Sequence, residues 1–393
     1  MNRRSHPLAL PLATLALAVP LTAQGEILVS SRFTDQVLRY DLVSGTSLGV
    51  FASGGGLDNP VGLTFGPDGN LYVASGETDQ VLRYDGTSGT FLGVFAQGPA
   101  IDAPRQVNFG PDGDLYVASG IGDRIVRFDG ASGAPKGVFA SGGNLDGPTS
   151  FTFGPDGDLY VGSVLTNKVK RYDGTSGAYL GNFAALNLNG PHDVAFGPDG
   201  LLYVSNAFDG RVLRYDGVSG AFVDAFLVDP ALAAPLGLAW DEQGRLYVAN
   251  QGHNEVRRYD GETGAFLDSP VASGAGGLSG PLFTVFRPSA PLAILPPSPG
   301  VAGAKSWLAA SGATPGAALL LAAGRPRALA VLDGCSSIGL PRGQLLVPCV
   351  ADESGRALFR WNVPPALSGA RLAMRAIEPA NCRASALVPF RFP

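Results

Sequence analysis

The sequence predicts an all-β chain, a six-bladed β-propeller followed by a small β-sandwich, on three observations. One segment occurs five times, at spacings of 44, 44, 43 and 44 residues. Each period holds four short apolar stretches parted by Gly-containing turns, the pattern of a four-stranded propeller blade. The period stops after Arg287, where Pro288, Pro291, Pro296, Pro297 and Pro299 follow closely. Composition agrees, because 55 Gly and 31 Pro in 393 residues argue against long helices, and 45% hydrophobic residues suffice for large cores.

Residues 1–25 read as a secretory signal peptide: basic Arg3 and Arg4, an apolar stretch from Leu8 to Leu21, then small residues ending at Ala23 and Gly25, with cleavage after one of these two. The stretch is shorter than the ~20 residues that span a bilayer and contains Pro11 and Pro20. No later segment has the length and continuity of a membrane span. The chain is therefore expected in the periplasm, the cell envelope or the medium. Loss of the leader lowers the formal charge from −5 to −7, a balance that argues against a nucleic-acid partner.

Residues 26–287 are the propeller. Phe65-Gly-Pro-Asp-Gly-Asn-Leu-Tyr-Val-Ala-Ser75 returns as Phe109–Ser119, Phe153–Ser163 and Phe196–Asn206, and in altered form as Trp240–Asn250. Within one period Val61–Phe65, Leu71–Ser75, Gln80–Asp85 and Phe91–Ala96 carry strand signals. The connectors are Gly-Pro-Asp-Gly, Gly-Glu-Thr-Asp and Gly-Thr-Ser-Gly, with Gly for positive φ and Asp to accept backbone hydrogen bonds. The start of the chain supplies only three strands, Ile27–Ser31, Gln36–Asp41 and Ser47–Ala52. The missing first strand is expected at the other end, in Gly280–Phe286, so that the two ends share the sixth blade.

Residues 288–300 read as an extended Pro-rich linker and 301–393 as the sandwich domain, with about seven strand signals. The two parts differ in charge, since residues 291–393 hold 10 Arg/Lys against 4 Asp/Glu and residues 26–290 hold 16 against 29. Cys335, Cys349 and Cys382 all fall in the sandwich domain, which fits a disulfide stapling a modest core in an exported protein.

The repeated Pro-x-x-φ-x-Phe-Gly-Pro-Asp-Gly-x-Leu-Tyr-Val-Ala and the following Val-x-Arg-Tyr-Asp resemble NHL-type six-bladed propellers. The wider group includes gluconolactonase-like and virginiamycin-B-lyase-like proteins. The resemblance is specific for fold over residues 27–286 and says little of activity, because such propellers serve as enzymes, binding modules and scaffolds. Thr314–Ala317, Gly334-Cys335 and Cys382–Ser385 resemble a C-terminal module of secreted bacterial proteins, which implies a Cys335–Cys382 bridge; the sequence leaves other pairings with Cys349 open.

Repetition also separates fold from function. The third-strand arginines Arg39, Arg83, Arg127, Arg171, Arg214 and Arg258 each precede an Asp by two residues, and sixfold recurrence assigns them to structural ion pairs or turn bonds. The Asp-bearing loops lack the dense alternating ligands of a calcium site and read as plain turns. Positions that differ between blades are expected at the channel mouth, where the first strand begins and the second ends. One ring reads Val61, Arg105, Thr149, His192, Leu236 and Leu282, followed by Gly62, Gln106, Ser150, Asp193, Gly237 and Phe283. A second ring reads Ser31, Ser75, Ser119, Ser163, Asn206 and Asn250.

Arg105, Gln106, His192, Asp193, Asn206 and Asn250 are accordingly the candidate ligand-binding residues, with no catalytic residue assigned. As rim groups, His192 and Asp193 are expected to be removable at little cost in stability. A gluconolactonase-like site implies a first-ring Glu and Asn or Asp near the second ring, which this chain lacks apart from its two Asn. Pro191-His192-Asp193 resembles the Pro-His motif of the lyase-like group, but no second-ring Glu accompanies it. The reading that follows is an exported, non-catalytic protein binding a protein, glycan or small molecule at the rim, with no cofactor indicated. The alternatives are a metal-dependent lyase or lactone hydrolase, which would need a divalent cation, and a structural envelope protein.

Overall fold

The computed structural model describes residues 25–241 and 243–287, together with separate strands between Ala293 and Arg391. Gly25–Pro288 forms one compact unit of six four-stranded antiparallel sheets. In the first blade the strands run Pro60–Phe65, Leu71–Ser75, Gln80–Tyr84 and Phe91–Gln97, paired in that order. Four further blades repeat this arrangement. The sixth takes Pro281–Phe286 from the end of the unit and pairs it with Glu26–Ser31, placing Ile27 opposite Phe286 and Val29 opposite Thr284. The ring closes as expected, and both chain ends of the propeller are held in one sheet.

The second strands explain the recurring Leu-Tyr-Val-Ala run. All five residues of Leu71–Ser75, and of its equivalents, are buried. A strand covered on both faces by neighbouring blades has no solvent side, so its sequence is continuously apolar instead of alternating. Its tyrosine packs edge-on against the aromatic residue that ends the next blade's inner strand: Tyr72 on Phe109 at 5.0 Å between centroids, Tyr116 on Phe153 at 5.1 Å, Tyr203 on Trp240 at 4.9 Å. Its hydroxyl donates to the Asp of the preceding turn, as Tyr72 does to Asp68 at 2.9 Å. In this way the Gly-Pro-Asp-Gly loop is held by the core strand beside it.

The Asp that ends the third strand caps the following turn. Asp85 Oδ1 accepts hydrogen bonds from the amides of Thr87 and Ser88 and from the Ser88 hydroxyl, and its pKa falls below the ordinary carboxylate range for that reason. Asp41, Asp129, Asp173, Asp216 and Asp260 repeat the turn. The third-strand arginines are structural too, but their bonds go elsewhere than to the Asp two residues on. Arg127 pairs with Asp112 and, at 2.6 Å, with Asp114; Arg171 pairs with Asp156 and Asp158, both at 2.7 Å; Arg214 forks onto Asp224. The arginine reaches the turn before the second strand, or in Arg214 the fourth strand, while the Asp bends back over its own turn.

Beyond the propeller, two antiparallel sheets are described by backbone pairing. Lys305–Ser311 lies between Ala293–Ile294 and Ala357–Asn362. Ala318–Gly324 lies between Leu345–Val350 and Arg371–Glu378, and the last also pairs with Arg383–Ala384 and Val388–Arg391. The region is thus β-structured. The leader, Cys335 and Cys382 lie outside the described residues. No helix among the described residues is long and apolar enough to cross a membrane.

Candidate functional site

Each inner strand opens with a Pro and then leaves the regular ladder: in the first blade the register shifts between Pro60 and Leu63, in the fourth between Pro191 and Val194. Such a bulge re-aims side chains and frees backbone N–H groups from their sheet partners. The first-ring residues occupy these bulges. All six, Val61, Arg105, Thr149, His192, Leu236 and Leu282, line one cavity of about 400 Å³ at the channel mouth.

The next position serves the fold. Gln106 Oε1 accepts from the Phe151 amide at 2.5 Å, Ser150 Oγ from Val194 at 2.9 Å and Asp193 Oδ2 from Leu238 at 2.7 Å, each bond running to the inner strand of the following blade. Where the ring has Gly62 there is no room for a side chain, since a Cβ would lie 2.6 Å from Arg105 O. These oxygens replace the ladder partners that the bulges lose. The expectation of a wet, dispensable Asp193 is therefore corrected: it is 2% exposed, its other oxygen accepts from Val194, and burial lifts its pKa to about 7.

The second ring is corrected likewise. Asn206 and Asn250 are wholly buried. Asn206 accepts from the Asn189 amide at 2.6 Å and donates to Asn187 O and Asp209 Oδ2; Asn250 accepts from Ala233 and donates to Ala231 O and Glu255 Oε1. In other blades a serine does the same work, as Ser75 Oγ does for the amide and carbonyl of Asp58. With their polar atoms spent on inter-blade loops, these residues have none to offer a ligand.

His192 and Arg105 remain, and the fold adds Arg32, which lines the same cavity. His192 Nδ1 is buried without a hydrogen-bond partner. Burial, reinforced by the positive charges of Arg105 and Arg32, pushes its pKa down to about 3, so the ring is neutral. The Arg105 guanidinium crosses Gly120, where a Cβ would meet its Nε at 2.8 Å. Burial pushes its pKa down, Arg32 adds to the effect and Glu77 opposes it, yet a guanidinium stays charged at neutral pH. Among the described ion pairs neither Arg105 nor Arg32 takes part.

Sequence comparison of first strands missed Arg32, because it follows the second strand and its counterparts are dissimilar: Gly76, Gly120, Val164, Ala207 and Gln251. Aligning the two residues after each second strand would have found it. His253, the other histidine of the propeller, lies 2.9 Å from Ala231 O through Nδ1. The cavity wall presents one imidazole and two guanidiniums and contains no carboxylate. Hard divalent cations require oxygen donors and are repelled by arginines, so this lining does not fit one. Among the described residues no group of three His, Cys, Asp or Glu side chains could hold a metal.

No family model and no curated protein matches the chain. Solved structures do match it. A protein of unknown function from Bacteroides caccae is 14% identical with a TM-score of 0.55, over 67% of this chain and 99% of that one. A catalytically inactive virginiamycin B lyase from Staphylococcus aureus, determined with quinupristin, is 17% identical with a TM-score of 0.50, over 73% and 92%. At these identities the likeness shows a shared six-bladed propeller fold.

Proposed function

We propose that this chain is an exported binding protein that captures its ligand in the channel-mouth cavity without transforming it. The observation that carries the reading is the excess of positive charge there, two guanidiniums with no salt-bridge partner among the described residues. Arg105 and Arg32 face a cavity built by all six blades, and no carboxylate in its wall neutralises them. A fold does not gain by half-burying an unpaired guanidinium, whereas a binding site does.

The donor set weighs against the metal-dependent lyase or lactone hydrolase. His192, with a pKa near 3, is too weak a base to be poised at neutral pH. Asp193 has a suitable pKa near 7 but is closed in by backbone amides. The β-structured C-terminal region then serves as an accessory sandwich domain for adhesion or sorting.

The test is a thermal-shift screen of the secreted chain against neutral glycans, organic anions and organic amides, repeated on Arg105→Gln. A hit that stabilises the native chain and loses at least about tenfold in affinity in the variant supports the reading, tenfold being ~1.4 kcal/mol. Turnover of a hit, or an identical profile for both proteins, overturns it. N-terminal sequencing of the exported chain checks the leader, with Gln24 or Glu26 expected as first residue.

A further inference from the structure

The position two residues beyond each second strand forms a third ring: Phe33, Glu77, Ile121, Leu165, Phe208 and Gly252. Its backbone is fixed identically in every blade. The amide of each residue donates to a carbonyl of the adjoining inter-blade loop, as Ile121 does to Asp102, Leu165 to Asp146 and Phe208 to Asn189. The side chains, by contrast, are left in water. Phe33, Ile121, Leu165 and Phe208 are 66–69% exposed. Glu77 and Gly252 show that the fold asks nothing apolar of this position.

Phe33, Leu165 and Phe208 lie over Gly280, Gly147 and Gly190 of the adjoining loops, yet all four large apolar groups keep most of their surface in water at equivalent positions. Scattered exposed apolar residues need no explanation, but these gather at one mouth. Ile121, Leu165 and Phe208 are also walls of the cavity that holds Arg105 and His192. Phe33 adjoins Arg32, whose guanidinium lies 5.4 Å from its ring centroid. The mouth therefore has a largely apolar collar, broken at Glu77 and Gly252, above a cationic floor.

We infer that the ligand is a small amphipathic monocarboxylate, its carboxylate on Arg105 and Arg32 and its aromatic or aliphatic body against the collar. This deepens the binding reading and rests on it. The anion is selected by charge: two guanidiniums without carboxylate partners supply forked donors matched to a carboxylate. His192 lines the same cavity beside them. Size favours a small molecule, since 400 Å³ lies at the lower end of ligand pockets, roughly 300–1,000 Å³. Gly120 acts as a positioning residue, leaving the space that Arg105 crosses.

The experiment is isothermal titration of the secreted chain with phenylacetate, 3-phenylpropionate and octanoate, the three matched primary amides, acetate and a neutral methyl glycoside. At least one of the longer carboxylates is expected to saturate one site, with its amide and acetate each at least about tenfold weaker. Arg105→Gln should reduce that carboxylate to the level of its amide. Leu165→Ser with Phe208→Ser should weaken carboxylate and amide by the same factor, and Gly120→Ala should weaken only the carboxylate. Circular dichroism and melting of each variant establish that it is folded; Arg105→Lys, which keeps the charge and loses the fork, replaces Arg105→Gln if the latter is not. Amides binding as tightly as carboxylates, or a preference that survives loss of Arg105, would overturn the inference. Saturation by the glycoside or the amides alone leaves the binding reading standing and sinks this one. No saturable binding by any probe sinks both.

Discussion

Asp193 shows how a residue that breaks a repeat can still belong to the fold. Its carboxylate accepts amides from Val194 and Leu238 and ties the fourth blade to the fifth, so Asp193→Ala strands a buried N–H and is expected to cost about 1–3 kcal/mol. Its pKa adds a pH signature. The folded value near 7 lies above the ordinary 3.8, so between about pH 4 and 7 the unfolded chain releases a proton that the folded chain keeps. Stability contributed by this group therefore falls as pH rises across that window and is constant outside it. His192 acts in the opposite sense: its folded pKa near 3 lies below 6.5, and its contribution is complete above pH 6.5 and lost as pH falls. Urea unfolding at several pH values should give Asp193→Asn a flatter decline from pH 4 to 7 than the native chain. Parallel curves would show that Asp193 is ionised throughout.

At the scale of strands and turns, the same bonds recur with local exceptions. An Asp or Asn in the left-handed region after each second strand accepts the amide of the residue before the next inner-strand Pro, as Asp79 does for Ala103 and Asn167 for Gly190, both at 2.8 Å. Gly210 occupies the position once, and that latch is missing between the fourth and fifth blades, which leaves the Asp193 bond to Leu238 as a side-chain tie between their inner strands. The third-strand arginines are more exposed. Arg127, 29% accessible, salt-bridges Asp112 and Asp114 and lies 5.6 Å from the Tyr116 ring centroid. Water screens such pairs, so Arg127→Ala should cost about 1 kcal/mol, less than Asp193→Ala. Denaturant midpoints of the two variants check the order, and a larger loss for Arg127→Ala would reverse it. The turns and strands were legible from the sequence because each is local; the partners of Arg127 were not, because they sit in the turn before the second strand, 13 and 15 residues back.

Closure governs the molecule as a whole. Removing everything after Ser279 deletes the strand that pairs with Glu26–Ser31, exposes that strand's edge and takes away the buried Leu282 and Phe283. The truncated propeller should melt well below a chain ended at Pro291, which keeps the strand. Equal melting temperatures for the two would mean that the ring does not depend on its lock.

The sequence by itself determined the number of blades, the order of their strands and the sharing of the sixth between the two ends, because a 44-residue period repeats its turn chemistry and its apolar runs in every unit. It also picked out Arg105 and His192, which interrupt that period beside the channel. Only the tertiary structure decided which breaks face a ligand. Whether a polar side chain points into the cavity or back at a neighbouring blade depends on a bulge in the inner strand and on the backbone of the next one, about 44 residues away. Asp193 and His192 are adjacent in the chain, yet one is bonded to the amides of Val194 and Leu238 and the other lines the cavity. The collar was hidden for the same reason: Phe33, Ile121, Leu165 and Phe208 are unremarkable in sequence, and only the closed ring brings them round one mouth and leaves them in water.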